Sequence, residues 1–114
     1  MGKATLLSQN KYEIEEGMTI ALSDSVQNFD AIFLQFWVTI YGGASRKFCN
    51  IDTQMPDDVG SANRYIESSV YYSNDYNAAV GICYPNKTSL TIKEKSLKGY
   101  EKIYLGKVYG FNWQ

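Results

Sequence analysis

The chain has 114 residues, with 11 Lys and Arg against 12 Asp and Glu, for a formal net charge of −1. This length fits one domain spanning residues 1–114, able to bury a core without a metal or disulfide. The balanced charge leaves no stripe of cations to neutralise phosphates, which argues against nucleic-acid binding.

Apolar residues make up 45%, too many for a disordered chain, and aromatics reach 15% with ten tyrosines. Tyrosine favours strands and suits binding surfaces, because its ring is apolar and its tip polar. There is no histidine, which removes the commonest general base and metal ligand.

Lys3 to Leu7 reads as a first strand. The opening MGKATLLSQNKYEIEEG has no apolar signal-peptide core, and Leu6 stands where a myristoylation signal needs Ser or Thr. Asn10 to Gly17 reads as a polar connector carrying Glu13, Glu15 and Glu16. Met18 to Leu22 is a second strand, with Ile20 and Leu22 on one face. Ser23, Asp24, Ser25, Gln27 and Asn28 are turn-formers that hydrogen-bond their own backbone.

Ala31 to Tyr41 carries the strongest signal. Ile32, Leu34, Phe36, Val38 and Ile40 share one face of an extended chain, and Phe33, Gln35, Trp37, Thr39 and Tyr41 share the other. A strand with one wet face alternates apolar with polar. Here the second face is half aromatic, so it is expected to be covered by another layer, a subunit or a ligand. The stretch is too short for the ~20 apolar residues of a membrane helix, so no membrane insertion is expected.

Gly42-Gly43 suits a tight hairpin, and Arg46 to Asp52 is the return strand around Phe48. Thr53 to Asn63 is a surface loop with Asp57 and Asp58. Arg64 to Tyr72 alternates as a strand, Ser73 to Asn77 is a turn, and Ala78 to Tyr84 is a buried strand. Gly81 marks a bulge or a close backbone contact. Pro85-Asn86-Lys87 closes a hairpin; Asn86-Lys87-Thr88 also fits a glycosylation sequon, but a turn explains it. Thr88 to Glu94 follows with Leu90 and Ile92 inward. Lys95 to Glu101 reads as a basic turn, and Lys102 to Trp113 as the last strand. About eight short strands without an amphipathic helix predict an all-β, antiparallel, jelly-roll-like β-sandwich.

Catalytic signatures are absent from the sequence: no GxSxG elbow, P-loop, HExxH or Cys–His pair. Two carboxylates could act without histidine, and the candidates are Asp24, Asp30, Asp52, Asp57, Asp58, Glu67 and Asp75. Nearly all fall in turns, where Asp is common for conformational reasons, so no enzyme, cofactor or metal is expected. Asp52, Asp57 and Asp58 lack calcium-loop spacing. Cys49 and Cys83 read as two buried thiols, pairing only if their strands adjoin in an oxidising compartment.

The aromatic-rich turn is the leading binding candidate. Tyr71, Tyr72, Asn74, Asp75 and Tyr76 set aromatic rings beside amide and carboxylate groups. A sugar presents an apolar CH face and polar hydroxyls, which such a set matches. Trp37, Tyr41 and Trp113 are candidates for an oligomer interface.

Two phrases carry a resemblance. GMTIALSDSVQNFDAIFLQFW, with Leu22, Ser23, Asp24, Ser25, Asn28, Phe29 and Asp30, resembles an opening found in C-terminal domains of bacteriophage tail-fibre, tail-tip and baseplate proteins. KIYLGKVYGFNW, with Ile103, Val108, Gly110 and Phe111, is similar to their closing strand, and Leu6-Leu7-Ser8 fits the strand before the opening. The matches cover the two ends, about half the chain. The resemblance implies a β-sandwich on the distal tail of a virion, often trimeric, contacting a bacterial surface glycan or other phage tail proteins. Such domains usually end a long protein, so a start at Met1 suggests a small separate component or an excised domain.

The expected function is non-catalytic host attachment through carbohydrate binding. The alternatives are a structural tail or capsid adaptor without a ligand, and a small intracellular protein that binds a host enzyme through Glu13 to Glu16.

Overall fold

A computed structural model describes residues 3–41, 45–52 and 66–113. The described residues form eight strands: β1 (Ala4–Glu13), β2 (Thr19–Ala21), β3 (Ala31–Ile40), β4 (Ser45–Asp52), β5 (Ile66–Ser73), β6 (Tyr76–Cys83), β7 (Ser89–Lys98) and β8 (Tyr100–Phe111). A 3-10 turn, Val26–Asn28, separates β2 from β3. The strands form two four-stranded antiparallel sheets, ordered β1-β8-β3-β4 and β2-β7-β6-β5. The all-β sandwich expected from the sequence is therefore the fold.

The connectivity nests the chain. β1 pairs with β8 on one sheet, and β2 pairs with β7 on the other, as the terminal strands of a jelly roll do. The middle strands instead stay within a sheet as hairpins, β3–β4 on one side and β5–β6–β7 on the other.

The core lies between the sheets and follows strand alternation. Leu34, Phe36 and Val38 of β3 are fully buried beside Ile103, Leu105 and Val108 of β8 in the same sheet, and share the core with Val80 and Ile82 of β6 and Leu90 and Ile92 of β7 in the other. Phe48 of β4 stacks on Phe36, with ring centroids 5.1 Å apart. Gly81 sits at a register shift between β6 and β7, the bulge its position suggested.

The segment between β2 and β3 binds itself as its composition predicts. Asp24 Oδ1 accepts from the Ser25 amide at 2.7 Å and from the Asn28 side chain at 2.8 Å. Ser25 Oγ accepts from the Gln27 amide. Phe29 then lies against Gly110, where a Cβ would come within 2.5 Å of the ring. The Asp30 amide donates to Asn112 Oδ1 and Asp30 Oδ2 accepts from the Trp113 amide. The opening and closing phrases thus grip each other in space.

Two connectors differ from expectation. The first half of the polar stretch from Asn10 to Gly17 is strand, because β1 continues to Glu13 along β8 through two register shifts. The basic stretch from Lys95 is also strand: β7 runs to Lys98, and only Gly99, at φ +77°, makes the turn. In both places charged residues occupy strand positions with one side toward solvent, where alternation carries little apolar signal. Cys83 is buried but Cys49 is exposed, and both thiols are free. They lie on β4 and β6, in different sheets, so the adjacency that pairing requires is missing. Burial pushes the Cys83 thiol up in pKa, with Lys93 pulling the other way. Gly42-Gly43 and the Thr53 to Asn63 loop, including Asp57 and Asp58, lie outside the described residues.

Candidate functional site

The β5–β6 hairpin positions the predicted tyrosine site. Its turn is Asn74-Asp75 alone, held by the Asp75 amide donating to Ser73 Oγ and by Asn77 Nδ2 donating to the Ser73 and Asn74 carbonyls. Gly99 makes this turn possible. A Cβ there would meet the Asp75 carbonyl oxygen at 2.1 Å and the Tyr76 ring at 2.7 Å.

The five predicted residues separate into two pairs and a lone residue. Tyr72 and Tyr76 come together, edge to face, with centroids 6.5 Å apart. Tyr71 points to the opposite face of the sheet, where its hydroxyl donates to Asn74 Oδ1 at 2.7 Å. Asp75 sits at the turn itself. The tyrosine pair is what the hairpin offers as a contact surface, and Asn74 is already engaged with Tyr71.

Three residues that sequence reasoning did not select complete the cluster. Arg46 of β4 sits with its guanidinium 4.6 Å from the Tyr72 ring centroid, a cation–π contact between the two sheets. Tyr100 packs edge-on against Tyr76 at 5.9 Å. With Ile40 these residues line a shallow depression of about 110 Å³. Tyr100 is 4% exposed, and its buried hydroxyl has no hydrogen-bond partner among the described residues. Arg46 had a weak sequence signal: it stands opposite Val38 in the register and so shares the inward face. A cation at an inward position of an edge strand needs a partner, and here the partner is an aromatic ring.

The three interface candidates occupy different places. Trp37 lies half-buried on the outer face of the β1-β8-β3-β4 sheet, stacked on Tyr104 at 5.0 Å and 11°. Tyr41, just past β3, is 71% exposed. Trp113, beyond β8, packs on Phe111 at the opposite end of the same outer face. There Ala4, Ala31, Phe33, Ile51, Tyr109, Phe111 and Trp113 line an apolar groove of about 380 Å³.

Of the described carboxylates considered for catalysis, Asp30 and Asp52 line one small hollow with Tyr84, and three have structural work. Asp24 and Asp30 bind backbone amides, as above. Asp52, 5% exposed, accepts a hydrogen bond from the Tyr84 hydroxyl at 3.1 Å. Burial first, and then the Asp52 carboxylate, push the Tyr84 hydroxyl well above the usual tyrosine range. Among the described residues no three His, Cys, Asp or Glu side chains gather as metal ligands would. No described helix is long and apolar enough to cross a membrane. No family model matches the chain, and no curated protein is similar enough to it to indicate a relative.

Proposed function

We propose that this chain is a non-catalytic recognition domain of a bacteriophage tail that attaches to the host surface by binding carbohydrate. The carrying observation is the cluster of Arg46, Tyr72, Tyr76 and Tyr100 at one end of the sandwich. Its rings offer apolar faces for the CH side of a sugar. Arg46 supplies donors for the hydroxyls of such a sugar. The depression is small, so one copy binds weakly and several copies on a virion supply the avidity. The virion context rests on the opening and closing phrases. Their mutual grip, Phe29 on Gly110 and Asp30 on Asn112 and Trp113, explains why a scaffold would keep them together.

A second reading follows from the groove of Phe33, Ile51, Phe111 and Trp113. Contiguous exposed apolar surface marks an interaction site, and a symmetric trimer or an adaptor contact with another tail protein would cover it. In that reading the domain is structural and needs no ligand.

One experiment separates the two. The purified chain, displayed on a multivalent label, is applied to a panel of intact bacteria before and after periodate oxidation. Strain-selective binding that periodate abolishes supports glycan recognition. The Tyr72→Ala/Tyr76→Ala variant then loses about tenfold or more in binding, as removal of aromatic anchors does. Absence of binding across a broad panel would favour the structural reading.

A further inference from the structure

The outer face of the β1-β8-β3-β4 sheet divides into two halves with different chemistry. One half is the apolar groove ending at Trp113. The other surrounds Trp37 and is basic. Gln9 and Lys11 of β1, Gln35 and Trp37 of β3, and Gly106 and Lys107 of β8 line a second groove of about 280 Å³. Lys11 Nζ stands 5.9 Å from the Trp37 ring centroid. Lys47, exposed on β4, is opposite Trp37 in the register and adds a third cation to the far side of the indole.

Three features make this a shaped surface. The parallel stack of Trp37 on Tyr104 fixes the indole rather than leaving it to swing. Gly106 leaves bare backbone at the groove floor: a Cβ there would lie 3.0 Å from both Trp37 Cζ3 and Gln35 Oε1. Gln35 Oε1 accepts from the Lys107 amide at 3.4 Å, which leaves its amide nitrogen as a donor without a partner among the described residues. The cations are also uncompensated. Among the described residues Lys11, Lys47 and Lys107 have no carboxylate partner, whereas Lys102 on the same face is paired with Glu13 at 3.8 Å.

We propose that this groove is a second binding site, for a saccharide bearing a carboxylate. The indole takes the CH face of the ring, Gln9 and Gln35 serve its hydroxyls, and Lys11 and Lys107 take the acid group. The mixture selects this class. A neutral sugar would leave the lysines unused, and an apolar protein surface would bury them unpaired, which is unfavourable. A nucleic acid would engage a longer run of cations than three lysines in a chain of net charge −1. The site stands apart from the hairpin cluster and does not depend on it.

The test uses the full chain and two probes with the same backbone, polygalacturonate and its fully methyl-esterified form. Tryptophan fluorescence and titration calorimetry read the binding, and a single-stranded DNA homopolymer serves as a polyanion of another class. The acid polymer is expected to bind and to shift the tryptophan emission, and the ester to bind about tenfold more weakly or not at all. Lys11→Gln/Lys107→Gln, two exposed or half-exposed changes that leave the core alone, is expected to lose about tenfold in affinity for the acid polymer. Tyr72→Ala/Tyr76→Ala is expected to retain it. Equal binding of acid and ester, or unchanged binding by the lysine variant, would overturn the proposal. Tighter binding of DNA than of polygalacturonate would overturn it as well, in favour of a nucleic-acid surface.

Discussion

β3 has two faces made from one run of sequence, and they serve different ends. On the inner face Ile32, Leu34, Phe36 and Val38 are at most 4% exposed and form the centre of the core. On the outer face Phe33, Gln35, Trp37 and Thr39 are half-buried, with Trp37 stacked on Tyr104 of the neighbouring strand. Hydrophobic burial accounts for the inner set completely. It does not account for an indole beside three lysines. The difference teaches that aromatic content alone does not identify core; the exposure and charge around each ring decide between packing and recognition.

The inner face carries the largest share of stability. Phe36→Ala removes a fully buried ring that stacks on Phe48, and is expected to cost about 3–5 kcal/mol of stability in urea unfolding. A loss below 1 kcal/mol would mean that the core is not organised around β3.

Tyr84→Phe tests the polar edge of the same core. It strips the buried Asp52 carboxylate of one hydrogen bond and is expected to cost about 1–3 kcal/mol. It also changes the alkaline limb. The folded Tyr84 hydroxyl ionises above its ordinary value of 10.0, so the unfolded chain releases this proton first. The stability contributed is complete below about pH 10 and declines as pH rises beyond it. The wild-type chain therefore loses stability more steeply than Tyr84→Phe above pH 10, measured as unfolding midpoints across that range. Parallel slopes would contradict the assignment.

Trp37→Ala sharpens the contrast from the outer face. It removes a half-buried ring and its Tyr104 stack, and is expected to cost about 1–2 kcal/mol. The larger consequence is loss of polygalacturonate binding. A stability loss as large as that of Phe36→Ala would show that the outer face is packing after all.

The fold was largely legible because β3, β6, β7 and β8 each carry apolar residues at alternate positions, and turn-formers separate them. Polar residues hid the second half of β1 and the end of β7. Those segments take their backbone partners from neighbouring strands without needing apolar side chains to do so. The site was half legible. Tyr72 and Tyr76 are close in sequence and their clustering at a strand end could be read. Arg46 and Tyr100 reach them only because the sandwich brings β4 and the start of β8 beside the hairpin, a juxtaposition set by topology rather than by local pattern. Tyr71 stands apart from that pair because adjacent residues on a strand point to opposite faces.

The nesting of β1 against β8 has a mechanical consequence. Ala4 pairs with Phe111, so both described ends lie at one pole of the sandwich, while Ile40 and Tyr100 pair at the other, beside the tyrosine hairpin. The two poles are about 30 Å apart along β3, at ~3.3 Å per residue. Pulling the two ends apart would open the β1–β8 ladder one hydrogen bond at a time, like a zip. Holding either end while the hairpin is pulled directs the load along the strands, so many ladder bonds must slide together before any yields. The same domain is thus weak against tension between its own described ends and strong along the line from either end to the tyrosine hairpin.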